Sequence, residues 1–203
     1  MAAINEAQSR SYAVSVLAWD GVAIAVFAAG DVIKADAAAT ISELRNRGID
    51  IWLLTGDNHD AASKVASLVG IPADRIIASA HPEDKLVKIS ALQAEGKHVL
   101  MVGDGINDAA ALAQADLSIA MGTGTDTAIA TADITIMRPE LMSIVDALTL
   151  SKRTLRTIKV NLGWAFAYNA VGIPIAAMGS PMYAAAAMAV SSLFVVTNSL
   201  RIK

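Results

Sequence analysis

Short apolar runs alternate with amphipathic stretches through residues 1–150, and an uncharged tract fills most of residues 151–203. Val22–Ala28 reads as a strand. Ala35–Arg47 reads as a helix that Gly48 ends, and Ile49–Leu54 as a buried strand. Asn58–Val69 is a predicted helix closed by Gly70 and Pro72, followed by a short strand at Arg75–Ala78. Glu83–Glu95 predicts a helix closed by Gly96. Then come a strand at Val99–Val102, a helix at Asn107–Gln114, a strand at Leu117–Ala120, a short helix at Thr125–Ala132 and a strand at Ile134–Ile136. Pro139–Leu150 begins another helix. Strand–helix alternation of this kind implies a mostly parallel, doubly wound α/β sheet, whose ligands gather at the carboxyl ends of its strands.

The last quarter has a different pattern. From Val160 to Leu200 there is no Asp, Glu, Lys, Arg or His, a run of 41 residues. A spanning helix needs about 20 apolar residues, so the tract predicts two spans, about 160–178 and 182–200, turning at Gly179-Ser180-Pro181. Lys152, Arg153, Arg156 and Lys159 precede the first span, and Arg201 and Lys203 follow the second. Both basic flanks then lie on one face of a membrane, the cytoplasmic one, with residues 1–159 and the C-terminus. A buried helical hairpin in a soluble protein is the alternative, but little else in the chain could cover so long an uncharged tract.

Charge sharpens the division. The net charge of −3 combines −9 over residues 1–150 with +6 over residues 151–203, where no acid occurs. The acidic part is a poor nucleic-acid binder, because phosphate neutralisation needs clustered cations. Hydrophobic residues make up 55% and charged residues 17%, which fits membrane content rather than disorder. No Cys is present, so a disulfide scaffold and a Cys-ligated zinc site are excluded, and a soft-metal site would have to use Met, Asn, Tyr or His. The opening Met-Ala-Ala-Ile-Asn-Glu has no basic segment before an apolar run, so no signal peptide is expected.

Three constellations sit at predicted strand ends or beside them. Thr55-Gly56-Asp57 follows one strand and precedes a helix start, where a hydroxyl and a free amide suit an anion. Alone it also fits an ordinary capping turn. Pro82-Glu83-Asp84-Lys85 places Lys85 near a helix start, where it could neutralise a phosphate. Gly103-Asp104-Gly105-Ile106-Asn107-Asp108 is the most specific of the three. Two carboxylates on a tight, glycine-flanked turn suit Mg²⁺, which takes one or two protein carboxylates plus phosphate and water oxygens. In the uncharged tract, Met188, Ser191 and Ser192 share one helix face, and Tyr168 and Asn169 lie near mid-span. A thioether with uncharged oxygens suits a soft monovalent ion such as Cu⁺; helix–helix hydrogen bonding is the plainer alternative.

Together these motifs resemble the phosphorylation domain of the P-type ATPases, which has the haloacid-dehalogenase fold. Met121-Gly122-Thr123-Gly124-Thr125-Asp126 and Ala132-Asp133-Ile134 match as well, and Asp31 with Lys34 resembles the hinge returning from the nucleotide domain. Asn161-Leu162, Trp164 to Asn169, and Met188-Ala189-Val190-Ser191-Ser192 resemble the last two helices of the Cu⁺-exporting members. The resemblance covers about residue 12 onward. It implies a nucleotide-domain remnant at 1–30, a phosphorylation domain at 31–150, and a basic linker with a transmembrane hairpin at 151–203. It implies roles too. Asp104 would bind Mg²⁺, and Asp108 would support the metal and phosphate geometry. Lys85 would hold the phosphoryl charge, Thr55 would donate to a phosphoryl oxygen, Asp57 would order that loop and Asn107 would contact the phosphate region. Gly56, Gly103 and Gly105 would let the backbone approach the cofactor. Tyr168, Asn169, Met188 and Ser191 would line the Cu⁺ path. The cofactors implied for a complete pump are Mg²⁺ and ATP.

Several parts of that family pattern are missing. No Asp here begins Asp-Lys-Thr-Gly-Thr, the nucleophile motif, and neither Thr-Gly-Glu-Ser nor Cys-Pro-Cys occurs. His81-Pro82 stands in the wrong context for the nucleotide-domain His-Pro pair. Ala110 stands where Pro is usual, and His81 where Leu is common. The chain alone is therefore expected not to turn over. In the family fold the nucleophile strand lies between those predicted at 49–54 and 99–102, so its loss would leave them about 9–10 Å apart. The sheet would then close up, another strand would fill the place, or a second chain would supply it. The expectation is thus a C-terminal portion of a Cu⁺ pump. The alternatives are a split-pump subunit completed in trans by a chain with the nucleophile and earlier helices, and a membrane-tethered phosphatase-like Mg²⁺-binding module. Membrane lipid is the other expected partner.

Overall fold

The computed structural model describes residues 13–29, 32–104, 106–122, 126–178 and 181–201. The chain divides into two compact units, Met1–Ser143 and Ile144–Lys203.

The first unit opens with an antiparallel hairpin, β1 (Ala13–Trp19) and β2 (Val22–Ala29), in the register Trp19↔Val22 to Ala13↔Ala29. The sequence pattern predicts only the second of these strands. The missed signal is Asp20-Gly21, with φ of 50° and 75°, a pair of positive values that a two-residue hairpin turn requires. Trp19, Ile24 and Phe27 are exposed on the hairpin.

The remaining elements of this unit follow the predicted order. Helix α1 (Ala37–Asn46) is followed by β3 (Leu53–Leu54), α2 (His59–Val69), β4 (Ile76–Ile77) and α3 (Pro82–Ala94). Next come β5 (Leu100–Gly103), a 3-10 turn (Ile106–Asp108), α4 (Ala109–Gln114), β6 (Leu117–Met121), α5 (Asp126–Thr131) and β7 (Ile134–Ile136). The helix limits have local causes. The Asn58 side chain accepts from the Ala61 N–H at the start of α2, and Gly70 ends it in the left-handed region at φ 82°. Pro82 opens α3, where the Asp84 carboxylate accepts from the His81 N–H at 2.8 Å. The buried residues Ala37, Ala66, Val69 and Ile71 form a cluster against which Ile33, Ile41, Ile51, Leu53 and Ile76 pack, so α1, α2 and the β3 segment share one core.

The strands do not form one continuous sheet. β3 pairs in parallel with β4, and β5, β6 and β7 form a separate parallel ladder in that order. Among the described residues no hydrogen bonds join β3 to β5 and no strand lies between them. Among the described residues the sheet has neither closed nor been filled from within. β3 and β4 are also only two residues long, shorter than the runs predicted at 49–54 and 75–78. Extended backbone is held straight by pairing with its neighbours, and β3 has a partner on one side only among the described residues.

The second unit is helical. The predicted linker helix and first span are one helix, α6 (Met142–Ala177), 36 residues long with Pro174 inside it; α7 (Pro181–Ser199) follows. The helices pair within this unit. Asn161 donates to the Ser199 hydroxyl at 2.9 Å and accepts from the Asn198 amide at 2.7 Å. Trp164 meets Phe194 edge-on, with ring centroids 5.4 Å apart. Among the described residues, no helix is long and apolar enough to cross a membrane. The two predicted helices are present, but Asn161, Tyr168, Asn169 and Pro174 interrupt the apolar tract of α6. Gly179 and Ser180 lie outside the described residues.

Candidate active site

The predicted phosphate and Mg²⁺ residues come from segments far apart in sequence. Thr55, Gly56 and Asp57 follow β3, Lys85 stands in the first turn of α3, and Asp104 and Asp108 follow β5. Parallel strands place these segments at carboxyl ends, where such folds keep their ligands.

Lys85 and Asp108 form the closest interaction of the set. The Lys85 ammonium donates to Asp108 Oδ1 at 2.6 Å, with 12% and 13% of the two side chains exposed. A charge-assisted bond shielded to this degree from water is stronger than a surface ion pair. Gly103 makes it possible: a Cβ there would lie 2.8 Å from Asp108 Oδ2 and 2.9 Å from its Cβ. A glycine at the end of β5 thus lets the Asp108 side chain fold back over the strand.

Thr55 and Asp57 build a smaller turn. The Thr55 hydroxyl donates to the Asp57 carboxylate at 3.0 Å, and the Asp57 N–H donates to the Thr55 hydroxyl at 3.1 Å. The loop after β4 holds this turn in place. The Ala80 N–H donates to the Thr55 carbonyl at 2.9 Å, and the Ser79 N–H to the Asp57 carbonyl at 2.7 Å. Ser79 adopts φ 51° to do so, a left-handed conformation that non-glycine residues rarely take. The same loop leads into α3, so the backbone that fixes Thr55 and Asp57 also sets the start of the Lys85 helix.

Asp104 and Asn107 are exposed, and Asp104 has no hydrogen bond or ion pair among the described residues. Gly105 lies outside the described residues, as do Asp31 and Thr123 to Thr125. No cluster of three or more His, Cys, Asp or Glu side chains able to hold a metal ion occurs among the described residues. The available donors, one free carboxylate and one paired with Lys85, fit Mg²⁺ in the manner of an ion that takes few protein ligands and completes its shell with phosphate and water.

Two supporting residues were not among the predicted site residues. Asp133 accepts from the Ser118 N–H at 2.9 Å and from its hydroxyl at 2.8 Å, while its own N–H donates to that hydroxyl at 3.0 Å. The Ser118 hydroxyl, then its N–H, hold the Asp133 carboxyl below its ordinary range. The bonds tie the start of β7 to β6. Gly122, at the end of β6, allows a similarly close approach: a Cβ there would lie 2.6 Å from the Met137 Cα. Both positions fall in the Met121–Asp126 and Ala132–Ile134 motifs, but only the contacts show what they do.

In the helical unit the four predicted ion-path residues take different settings. Tyr168 and Ser191 are half-buried, whereas Asn169 is exposed and Met188 is 57% exposed. The Ser192 hydroxyl donates to the Met188 carbonyl at 3.2 Å, and the Tyr168 ring lies 5.8 Å from that of Trp164.

Comparison with known proteins agrees with this architecture. The haloacid dehalogenase-like hydrolase family matches residues 4–116, and a second family of the same description matches residues 85–148. A probable copper-exporting P-type ATPase V of Mycobacterium tuberculosis is 47% identical over 100% of this chain and 26% of its own length. A copper-exporting P-type ATPase of Bacillus subtilis is 46% identical over 100% of the chain and 25% of its own length. The crystal structure of a zinc-transporting PIB-type ATPase in the E2.Pi state superposes with a TM-score of 0.81 at 33% identity, covering 99% of this chain and 33% of that one. The chain belongs to the haloacid dehalogenase-like hydrolases. It spans about a quarter of the length of these curated relatives.

Proposed function

We propose that the chain supplies the Mg²⁺ and phosphate half of the catalytic site, together with two helices of the ion path, in an ATP-driven pump whose transported ion is Cu⁺. The observation that carries this reading is the Lys85–Asp108 pair at 2.6 Å, with Asp104 free beside it in sequence. Lys85 neutralises phosphoryl charge from α3, and Asp108 holds the ammonium in position. Thr55 donates its hydroxyl to a phosphoryl oxygen, and Asp57 orients that hydroxyl through their hydrogen bonds. Asp104 holds Mg²⁺, which when bound offsets negative charge on the transferring group. Asn107 contacts the phosphate region, and the glycines keep side-chain bulk away from the ligand.

The phosphorylated aspartate comes from another part of the complete pump. Its strand enters between β3 and β5, which are unpaired with each other among the described residues. This same observation favours a second reading, in which a separate chain bearing the nucleophile and the earlier helices completes the site. The copper-exporting relatives support Cu⁺ as the ion, as do a Met and uncharged oxygens in a tract without carboxylates. Supplied with further helices, α6 and α7 would lie in the bilayer, their Asn161–Asn198–Ser199 bonds satisfying polar groups that lipid cannot. Residues 1–159 and the C-terminus would be cytoplasmic.

Labelled ATP is the test. The chain alone should form no acid-stable phosphoenzyme. Joined to, or mixed with, a segment carrying Asp-Lys-Thr-Gly-Thr and the preceding helices, it should support one that Asp104→Asn abolishes. Phosphoenzyme on the isolated chain, or an unaffected Asp104→Asn pump, would refute the reading.

A further inference from the structure

We propose that one end of the α6–α7 pair is a collar for the headgroups of anionic phospholipids, of the phosphatidylglycerol class. The inference rests on the membrane reading above and names the lipid that reading leaves open.

Lys152, Arg156 and Lys159 recur at helical spacing along α6, so they stand on one face. All three are exposed, as is Arg201, and none of the four has an ion pair or side-chain hydrogen bond among the described residues. No acid exists between residues 151 and 203 to pair with them. The helix pairing adds what the sequence could not. Because Asn161 bonds to both Asn198 and Ser199, the end of α7 runs beside the turn of α6 that carries Lys159. Arg201 therefore stands at the level of Lys159, although 42 positions separate them in the chain. Immediately past this level both helices enter the 41-residue uncharged tract. Unpaired cations at the rim of such a tract lie at headgroup depth, where each Lys or Arg attracts anionic lipid. An apolar tract leading away from the cations favours a lipid, with its acyl chains, over a free anion.

The full chain, reconstituted in nanodiscs of phosphatidylcholine with a minority of phosphatidylglycerol, tests this. After detergent exchange, the lipid retained on the protein is quantified against the bulk ratio. Wild type should hold phosphatidylglycerol above the bulk ratio at low salt. Arg201→Gln should lower that enrichment about fivefold. Lys152→Gln/Arg156→Gln/Lys159→Gln/Arg201→Gln should return it to the bulk ratio, and the Lys152→Arg/Lys159→Arg control should keep it. Retention at the bulk ratio in wild type, or enrichment unchanged in the fourfold variant, would overturn the collar. Displacement of the lipid by an equal concentration of inorganic phosphate would do the same, by showing a general anion site. Resistance of wild type to alkaline carbonate extraction reads the membrane placement separately. Wild type that stays in the bilayer without enrichment defeats the collar alone, whereas wild type that extracts defeats both readings.

Discussion

Lys85 and Asp108 are 23 residues apart in the chain and 2.6 Å apart in the fold, one from the first turn of α3 and the other from the turn after β5. The pair joins two of the three segments that carry the charged groups of the site. It also leaves Asp104 of the Asp104/Asp108 pair without a partner among the described residues.

Breaking the pair from one side should destabilise this unit more than removing both partners. Lys85→Met leaves Asp108 poorly solvated and unpaired. At about an eighth exposure of each side chain, the expected loss is about 2 kcal/mol, below the range for fully buried pairs. Lys85→Met/Asp108→Leu should recover much of it. Urea unfolding of the four members of the cycle measures the difference. Additive single losses would show that the two charges do not interact.

Gly103→Ala probes the same pair without touching a charge. The new methyl would lie 2.8 Å from Asp108 Oδ2, so the carboxylate must swing away from the strand. The expected result is a modest stability loss, about 1–2 kcal/mol, with a larger loss of Mg²⁺-dependent phosphoenzyme in a completed pump. Gly122→Ala should be worse, about 3 kcal/mol, because its methyl would meet the backbone of Met137 and Ile136, which cannot rotate aside. Comparative thermal unfolding ranks the two.

Stability should fall on acidification, for a reason located at the strand ends. The Val99 N–H, then the Gln93 amide, hold the Asp116 carboxyl below its ordinary range, as Ser118 does for Asp133. With folded values depressed, the unfolded chain binds more protons in this range, so stability rises with pH. The contribution is complete above about pH 4 and is lost as pH falls through the folded values. Asp133→Asn should flatten the dependence of the urea midpoint on pH between about 5 and 2. An unchanged slope would remove Asp133 from the account.

For the helical unit, Asn161→Leu deletes both interhelix hydrogen bonds at once. The expected loss is about 1 kcal/mol, seen as earlier loss of the near-ultraviolet signal from Trp164, which packs on Phe194.

Ion choice is tested in a complete pump. Tyr168→Phe and Met188→Ala should each lower Cu⁺ retention more than Zn²⁺ retention, since thioether and neutral oxygen donors favour the softer ion. Unchanged Cu⁺ retention in both variants would remove copper from the proposal.

The sequence by itself determined the element order, most helix ends and the motifs at the strand ends. Those features are local: Asn58 can cap only the helix that follows it, and Gly70 stops the chain wherever a left-handed residue is needed. It missed β1, although Ala13–Trp19 is apolar at every position but Ser15 and the Asp20-Gly21 turn was legible. Tertiary structure alone decided which acid Lys85 holds, that β3 and β5 stay unpaired among the described residues, and that Tyr168 and Ser191 are shielded while Asn169 and Met188 are exposed. It also brought Asn198 and Ser199, at the end of α7, against Asn161 of α6. Each of these depends on which distant segments meet, and periodicity and capping carry no information about that until the chain has packed.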